Sequence, residues 1–253
     1  VIVSTLALAA LCATSGAAGF VDAIAGGGGL VTVPALMTCV PDAHLVLGTN
    51  KGQAFGGGIA SAIAFWRGKS VDRDRAGLAF SCGAIGAVLG ALVQLRIDPK
   101  PLKPIALALL VVAAALVALR PLIVKKAVAH ATSAPRLRLA VIALSMGFYD
   151  GFFGPGVGSL LIALFVTFHG DTMTRASGNA KVVNLASNLA SFVVFAIKGT
   201  ILWSVAAPMA IFNALGATIG ARVAIKRGDA FVRAIVLCVV GALVVKLSVD
   251  LAR

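Results

Sequence analysis

GFVDAIAGGGGLVTVP, residues 19–34, and GFYDGFFGPGVGSL, residues 147–160, each set one aspartate and a cluster of glycines inside sequence otherwise apolar enough to lie in a membrane. Glycine runs leave backbone N–H groups without helical partners, and at membrane depth this is tolerated only where the backbone is buried in protein or lines a polar cavity. Asp22 and Asp150 are intramembrane carboxylates, costly to bury and therefore functional candidates. Charge and broken helix coincide twice.

The sequence around these stretches fits that setting. The 253 residues are 60% hydrophobic and only 12% charged, with a mean hydropathy of +1.02, too apolar for a soluble domain of this length. Abundant small residues favour close helix packing, and weak alternation argues against a barrel, so an all-α polytopic membrane protein is expected. Apolar segments fall near residues 1–18, 30–40, 54–66, 76–95 and 102–123, then near 137–149, 157–168, 182–197, 203–221 and 231–251. The first is read as a membrane helix, not a signal peptide, because it lacks a basic leading region and recurs in a duplication. The second segment of each set is shorter than the roughly 20 residues a straight crossing needs, and is expected to be a tilted or re-entrant half-helix.

The duplication is visible position by position. Gly19, Phe20, Asp22, Gly26 and Gly28 match Gly147, Phe148, Asp150, Gly154 and Gly156 at one offset. At an offset two residues longer, Lys51, Ser61 and Phe65 match Lys181, Ser191 and Phe195, and Gly86 and Gly90 match Gly216 and Gly220. Two repeats of about five segments follow, residues 1–123 and 137–253, joined by a basic linker at 124–136. Arg67, Lys69, Arg73 and Arg75 in one loop, Lys125, Lys126, Arg136 and Arg138 about the linker, and Arg222, Lys226, Arg227 and Arg233 in another share a side only if each repeat crosses an odd number of times. The repeats are then inverted, with the basic loops cytoplasmic and both chain ends on the opposite side.

The formal net charge of +13 is accounted for by these loops as a topology and headgroup signal, so no nucleic-acid partner is expected. Cys12, Cys39, Cys82 and Cys238 stand alone in apolar segments without metal-ligand spacing, so neither metal nor disulfide is inferred, and no cofactor is expected. There is no phosphate-loop motif and no histidine within an apolar segment, which argues against an ATP-driven pump or an enzyme.

The candidate site gathers at the two breaks. Free N–H groups at Gly26, Gly27, Gly28 and Gly29, and at Gly154, Gly156 and Gly158, precede a short helix whose dipole favours an anion, unless the glycines serve only close helix crossing. Lys51 in GTNKGQ and Lys181 in GNAKVVN are surrounded by Asn50, Gln53, Asn179, Asn184 and Asn188. Two ammonium groups about a pseudo-twofold axis suit a divalent oxyanion with amide N–H donors, or else they snorkel or pair with the aspartates. Asp22 and Asp150 couple a proton, or fix the breaks, or act as counter-ions, and in a cation or proton transporter they would be the ligands. Tyr149 is positioned either to donate to a bound species or to pack.

These doubled motifs, with GTNKGQ and NAKVVNLASNLAS, resemble the sulfite exporter TauE/SafE family of bacterial inner-membrane permeases over nearly the whole chain. The resemblance implies a secondary transporter for a small sulfur-containing anion, sulfite or an organosulfonate, in the lipid bilayer, with homo-oligomer formation left open. It also implies that substrate binds at the glycine motifs and at Asn50, Lys51, Asn179 and Lys181. Asn50 adjoins Lys51 whereas Ala180 separates Asn179 from Lys181, so the two sites are not strictly symmetric.

Overall fold

The computed structural model describes residues 3–98, 100, 101, 105, 108, 109 and 135–251. The expected segment at 102–123 and the linker residues 124–134 lie outside these, apart from isolated positions. The described elements are helical: α1 (Thr5–Ala25), α2 (Gly29–Cys39), α3 (Ala43–Arg67), α4 (Arg73–Gln94), α5 (Pro135–Phe152), α6 (Val157–His169), α7 (Met173–Ile197) and α8 (Trp203–Leu251). Side-chain caps start several of them, with Asp42 accepting from Leu45 N, Asp72 from Asp74 N and Arg75 N, and Thr172 from Arg175 N. In α8 a kink at Gly228 (φ 70°, ψ −164°) stands where the sequence suggested two segments.

Two boundaries differ from the sequence reading. The helices expected to begin at 54 and 182 begin at Ala43 and Met173. Hydropathy drops across Thr49–Gln53 and Ser177–Lys181, yet these residues are helical and buried, because their polar side chains face protein.

Large apolar side chains face outward, as lipid requires, and a group of polar side chains is buried within the apolar core. Ile85 and Leu89 on α4, and their matches Leu215 and Ile219 on α8, are exposed, while Ser15, Thr49, Lys51, Lys181, Ser187 and Asn213 are buried. Four stretches, α1, α4, α7 and Trp203–Gly228 of α8, are long and apolar enough to cross a membrane, whereas α2 and α6 are shorter apolar helices. This is an all-α, multi-pass membrane protein.

Glycines set the helix contacts and their sense. Gly83 meets Gly147, Gly86 meets Leu144 and Phe148, and Gly90 meets Phe148 and Phe152, so α4 and α5 pack closely and parallel. Matched glycines do the same elsewhere: Gly216 meets Gly16, Gly220 meets Phe20, and α1 runs parallel to α8. Gly48 and Gly57 on α3 lie at Thr200 and Asn213, and Gly68 just past its end lies at Ile225, so α3 also runs with α8. Gly178, early in α7, meets Ser70 just past α3, while Gly48, early in α3, meets Thr200 just past α7, so α3 and α7 are antiparallel.

A Cβ at Gly86 would overlap the Leu144 carbonyl oxygen, whereas one at Gly77 on the same helix meets open space. Gly86→Val is expected to lower stability by about 1–3 kcal/mol through forced separation of α4 and α5. Gly77→Ala should stay within about 0.5 kcal/mol or improve it. Thermal unfolding in detergent checks both, and equal effects would remove the seam from the account.

Candidate functional site

The cavity forms where the two broken stretches meet. α1 ends at Ala25, and Gly26 (φ 73°) and Gly27 (φ 92°) adopt left-handed conformations that any side chain would strain. Asp22 Oδ1 accepts from Gly28 N at 3.0 Å, closing the break on itself. In the second stretch Gly154 and Gly156 are left-handed, and Tyr149 Oη donates to Pro155 O at 2.8 Å. Tyr149 therefore braces its own break. The two breaks also touch: Ser159 Oγ donates to Ala25 O at 2.7 Å, and Gly26 lies directly on the backbone of Gly158 and Ser159.

Ion pairs then cross between the two parts of the chain. Lys51 Nζ on α3 lies 2.5 Å from Asp150 Oδ1 on α5, and Lys181 Nζ on α7 lies 2.6 Å from Asp22 Oδ2 on α1. Ser187 Oγ donates to the other oxygen of Asp150, and Asn188 Oδ1 sits 3.4 Å from Lys51 Nζ. Of the alternatives open for the two lysines, the structure shows pairing with the aspartates, since each lysine holds a carboxylate. The glycine donors are likewise not all free, because Asp22 takes the N–H of Gly28. Two positive and two negative groups leave the site neutral.

Between the pairs lies a cavity of about 50 Å³, room for a few water molecules or a small oxyanion. Of the residues singled out in the sequence, Asp22, Gly28, Gly29, Asn50, Lys51, Gln53, Asp150, Gly154, Lys181, Asn184 and Asn188 line it. Gly26, Gly27, Gly156 and Gly158 are backbone supports around it. Asn50 Oδ1 accepts from Thr32 Oγ1 at 2.6 Å and from Gln53 Nε2 at 3.1 Å, and Gln53 Oε1 accepts from Ser15 Oγ at 2.6 Å. With its oxygen doubly engaged, Asn50 keeps both amide hydrogens unused at the cavity wall. Asn184 Oδ1 is buried without a partner.

Three contributors escaped the sequence reading. Asn213 lines the cavity from α8 and donates to Ser15 O at 3.1 Å, and Gly58 lines it from α3. A lone amide in an apolar helix was the available signal for Asn213. Ser187 gives no local signal, because its bond to Asp150 spans a separation of 37 residues.

Asn179 lies elsewhere. Its Oδ1 accepts from Asp72 N at 2.8 Å and its Nδ2 donates to Asp171 Oδ2 at 2.7 Å, which ties it to the loops at the basic end. There Arg75 bridges Asp72 and Asp171 at 2.7 Å each, and Arg175 reaches Asp72 at 2.7 Å. Burial alone would push the Asp72 carboxyl up, but hydrogen bonds and charge from Arg75 and Arg175 outweigh it and hold the group below its ordinary value. At the same end Arg67 and Arg222 flank one groove, and Arg138 donates to Phe168 O at 2.7 Å. Among the described residues, no group of three or more His, Cys, Asp or Glu is placed to hold a metal ion.

Comparison with known proteins agrees with this architecture. The family model described as sulfite exporter TauE/SafE matches residues 11–247. A probable membrane transporter protein of Haemophilus influenzae is 38% identical over 248 residues, covering 96% of this chain and 95% of that one. The probable membrane transporter protein YfcA of Escherichia coli K12 is 34% identical over 249 residues, covering 98% and 92%. A probable membrane transporter protein, ORF9, of a Sinorhizobium species is 36% identical over 234 residues, covering 92% and 89%. No solved structure matches the chain.

Proposed function

This chain belongs to the sulfite exporter TauE/SafE family of membrane transporters, and on that premise we propose that it is a secondary transporter moving a small sulfur-containing anion, sulfite or an organosulfonate, across the bacterial inner membrane. The anion binds in the cavity between the two breaks. It is held by Lys51, Lys181 and the amides of Asn50, Asn184 and Asn188, with Asp22 or Asp150 carrying a coupled proton.

One observation carries this reading: the exchanged ion pairs Lys51–Asp150 and Lys181–Asp22. An isologous twofold contact joins residue i of one unit to j of the other and j to i, and these matched residues do that. Residues 1–123 and 137–253 are accordingly read as two repeats, and the antiparallel sense of α3 and α7 supports their inversion. Inverted repeats that share a midplane site alternate access by rocking about it. The gathering of Arg67, Arg75, Arg138, Arg175 and Arg222 at one end supports a cytoplasmic assignment for that end.

A cation carrier using the two aspartates as ligands makes the opposite demand on the driving gradient. In proteoliposomes, sulfite uptake is expected to follow a sulfite gradient with no metal cation gradient present. Uptake of a metal cation without any sulfur anion, with sulfite itself excluded, would overturn the anion reading.

A further inference from the structure

The two carboxylates of the cavity are unequal. Asp150 is 3% exposed, with one oxygen on Lys51 and the other on Ser187. The Asp22 side chain is 35% exposed although its partner, Lys181, is 1% exposed. Its oxygens take one donor each, Lys181 Nζ at 2.6 Å and Gly28 N at 3.0 Å.

Those two donors, a buried ammonium and an N–H at the start of α2, are what an oxyanion would use. Unused donor capacity faces the same space: the amide hydrogens of Asn50, 4% exposed. They are not needed by Asp22. They extend a binding site that the aspartate fills only in part.

We infer that the Asp22 carboxylate is a resident stand-in for the transported anion, occupying its place on Lys181 and Gly28 until the substrate displaces it. This rests on the reading of the chain as an anion carrier. It adds which carboxylate yields, and why a proton accompanies the anion. The charged groups facing Asp22 are Lys181 on α7, Lys51 on α3 and Asp150 on α5, while α2 offers the Gly28 N–H and α8 the neutral Asn213. With Asp22 in place these charges cancel. A monoanion on Lys181 beside an ionised, displaced Asp22 would leave one uncompensated negative charge in a poorly solvated cavity. Protonation of Asp22 restores the balance, so one proton is taken up for each monoanion bound. Asp150, enclosed with both oxygens engaged by side chains, stays paired.

Methanesulfonate tests this, because it keeps a single charge between pH 5 and pH 8. Calorimetric titration of the detergent-solubilised protein in buffers of different ionisation enthalpy is expected to show about one proton taken up per anion. Affinity should rise by up to about tenfold per unit fall in pH. Asp22→Asn is expected to abolish the pH slope while binding no more weakly than wild type at pH 8. Proton uptake near zero in the wild-type protein would overturn the proposal without any variant, and a tenfold loss of affinity in Asp22→Asn would also overturn it. If the wild-type protein neither binds methanesulfonate nor transports sulfite, the transport reading falls and takes this proposal with it. Sulfite transport together with pH-independent methanesulfonate binding removes the Asp22 proposal alone.

Discussion

Lys51→Ala is expected to cost the fold about 3–5 kcal/mol, the usual penalty for leaving a buried charge without its partner. Asp150 is only 3% exposed, so water replaces the ammonium poorly when it is removed, and Ser187 is, among the described residues, the one side chain left bonded to the carboxylate. The pair also ties α3 to α5, and its loss weakens the contact between the two parts of the chain. Replacing both members by apolar residues of similar volume, Lys51→Met with Asp150→Leu, removes the uncompensated charge and should recover most of the stability. Thermal unfolding in detergent distinguishes the outcomes. A single Lys51→Ala variant as stable as wild type would show that the pair is not buried as described.

Lys181→Ala is expected to do the reverse, sparing the fold and removing transport. Its partner Asp22 opens on the cavity, 35% exposed, so the orphaned carboxylate can take up a proton there and the loss of stability should be small, on the order of 1 kcal/mol. Truncating a charged donor to a desolvated anion costs roughly 2–5 kcal/mol, or about thirtyfold to several thousandfold in affinity. Sulfite flux in proteoliposomes should fall by that order at concentrations below saturation. Flux within about twofold of wild type would take Lys181 out of the binding site. The contrast with Lys51 matters, because two matched lysines in matched sequence are predicted to fail in different ways.

Much of this architecture is legible in the amino-acid sequence itself. Asp22 and Asp150 stand out because a charge in an apolar stretch must be compensated, and the flanking glycines mark where the helix stops. The shortness of α2 and α6 follows from counting apolar residues. The starts of α3 and α7 are obscured, since a buried polar helix face has the same hydropathy as a loop. The pairing of each lysine with the distant aspartate is also hidden, because separations of 99 and 159 residues are bridged only by tertiary packing.

Asn179 is the instructive case. Beside Lys181 it looks like the counterpart of Asn50, but at the offset that aligns the lysines its match is Thr49. The hydrogen bonds agree with the alignment: Asn179 Oδ1 accepts from Asp72 N at 2.8 Å, and Thr49 Oγ1 accepts from Leu202 N at 3.0 Å. Asp72 and Leu202 are themselves matched at that offset. Both residues anchor the start of the following helix. At the same offset Asn50 faces Ala180 and Asn188 faces Gly58, so the cavity walls differ in chemistry although the lysines correspond.

The location of a bound anion tests the central claim most directly. Crystals grown with bromomethanesulfonate, a small sulfonate carrying an anomalous scatterer, would report its position without reference to any assumed pose. The bromine peak is expected within the cavity bounded by Asn50, Lys51, Lys181 and Asn184. A peak confined to the loops at either end, in protein that still transports sulfite, would contradict the account.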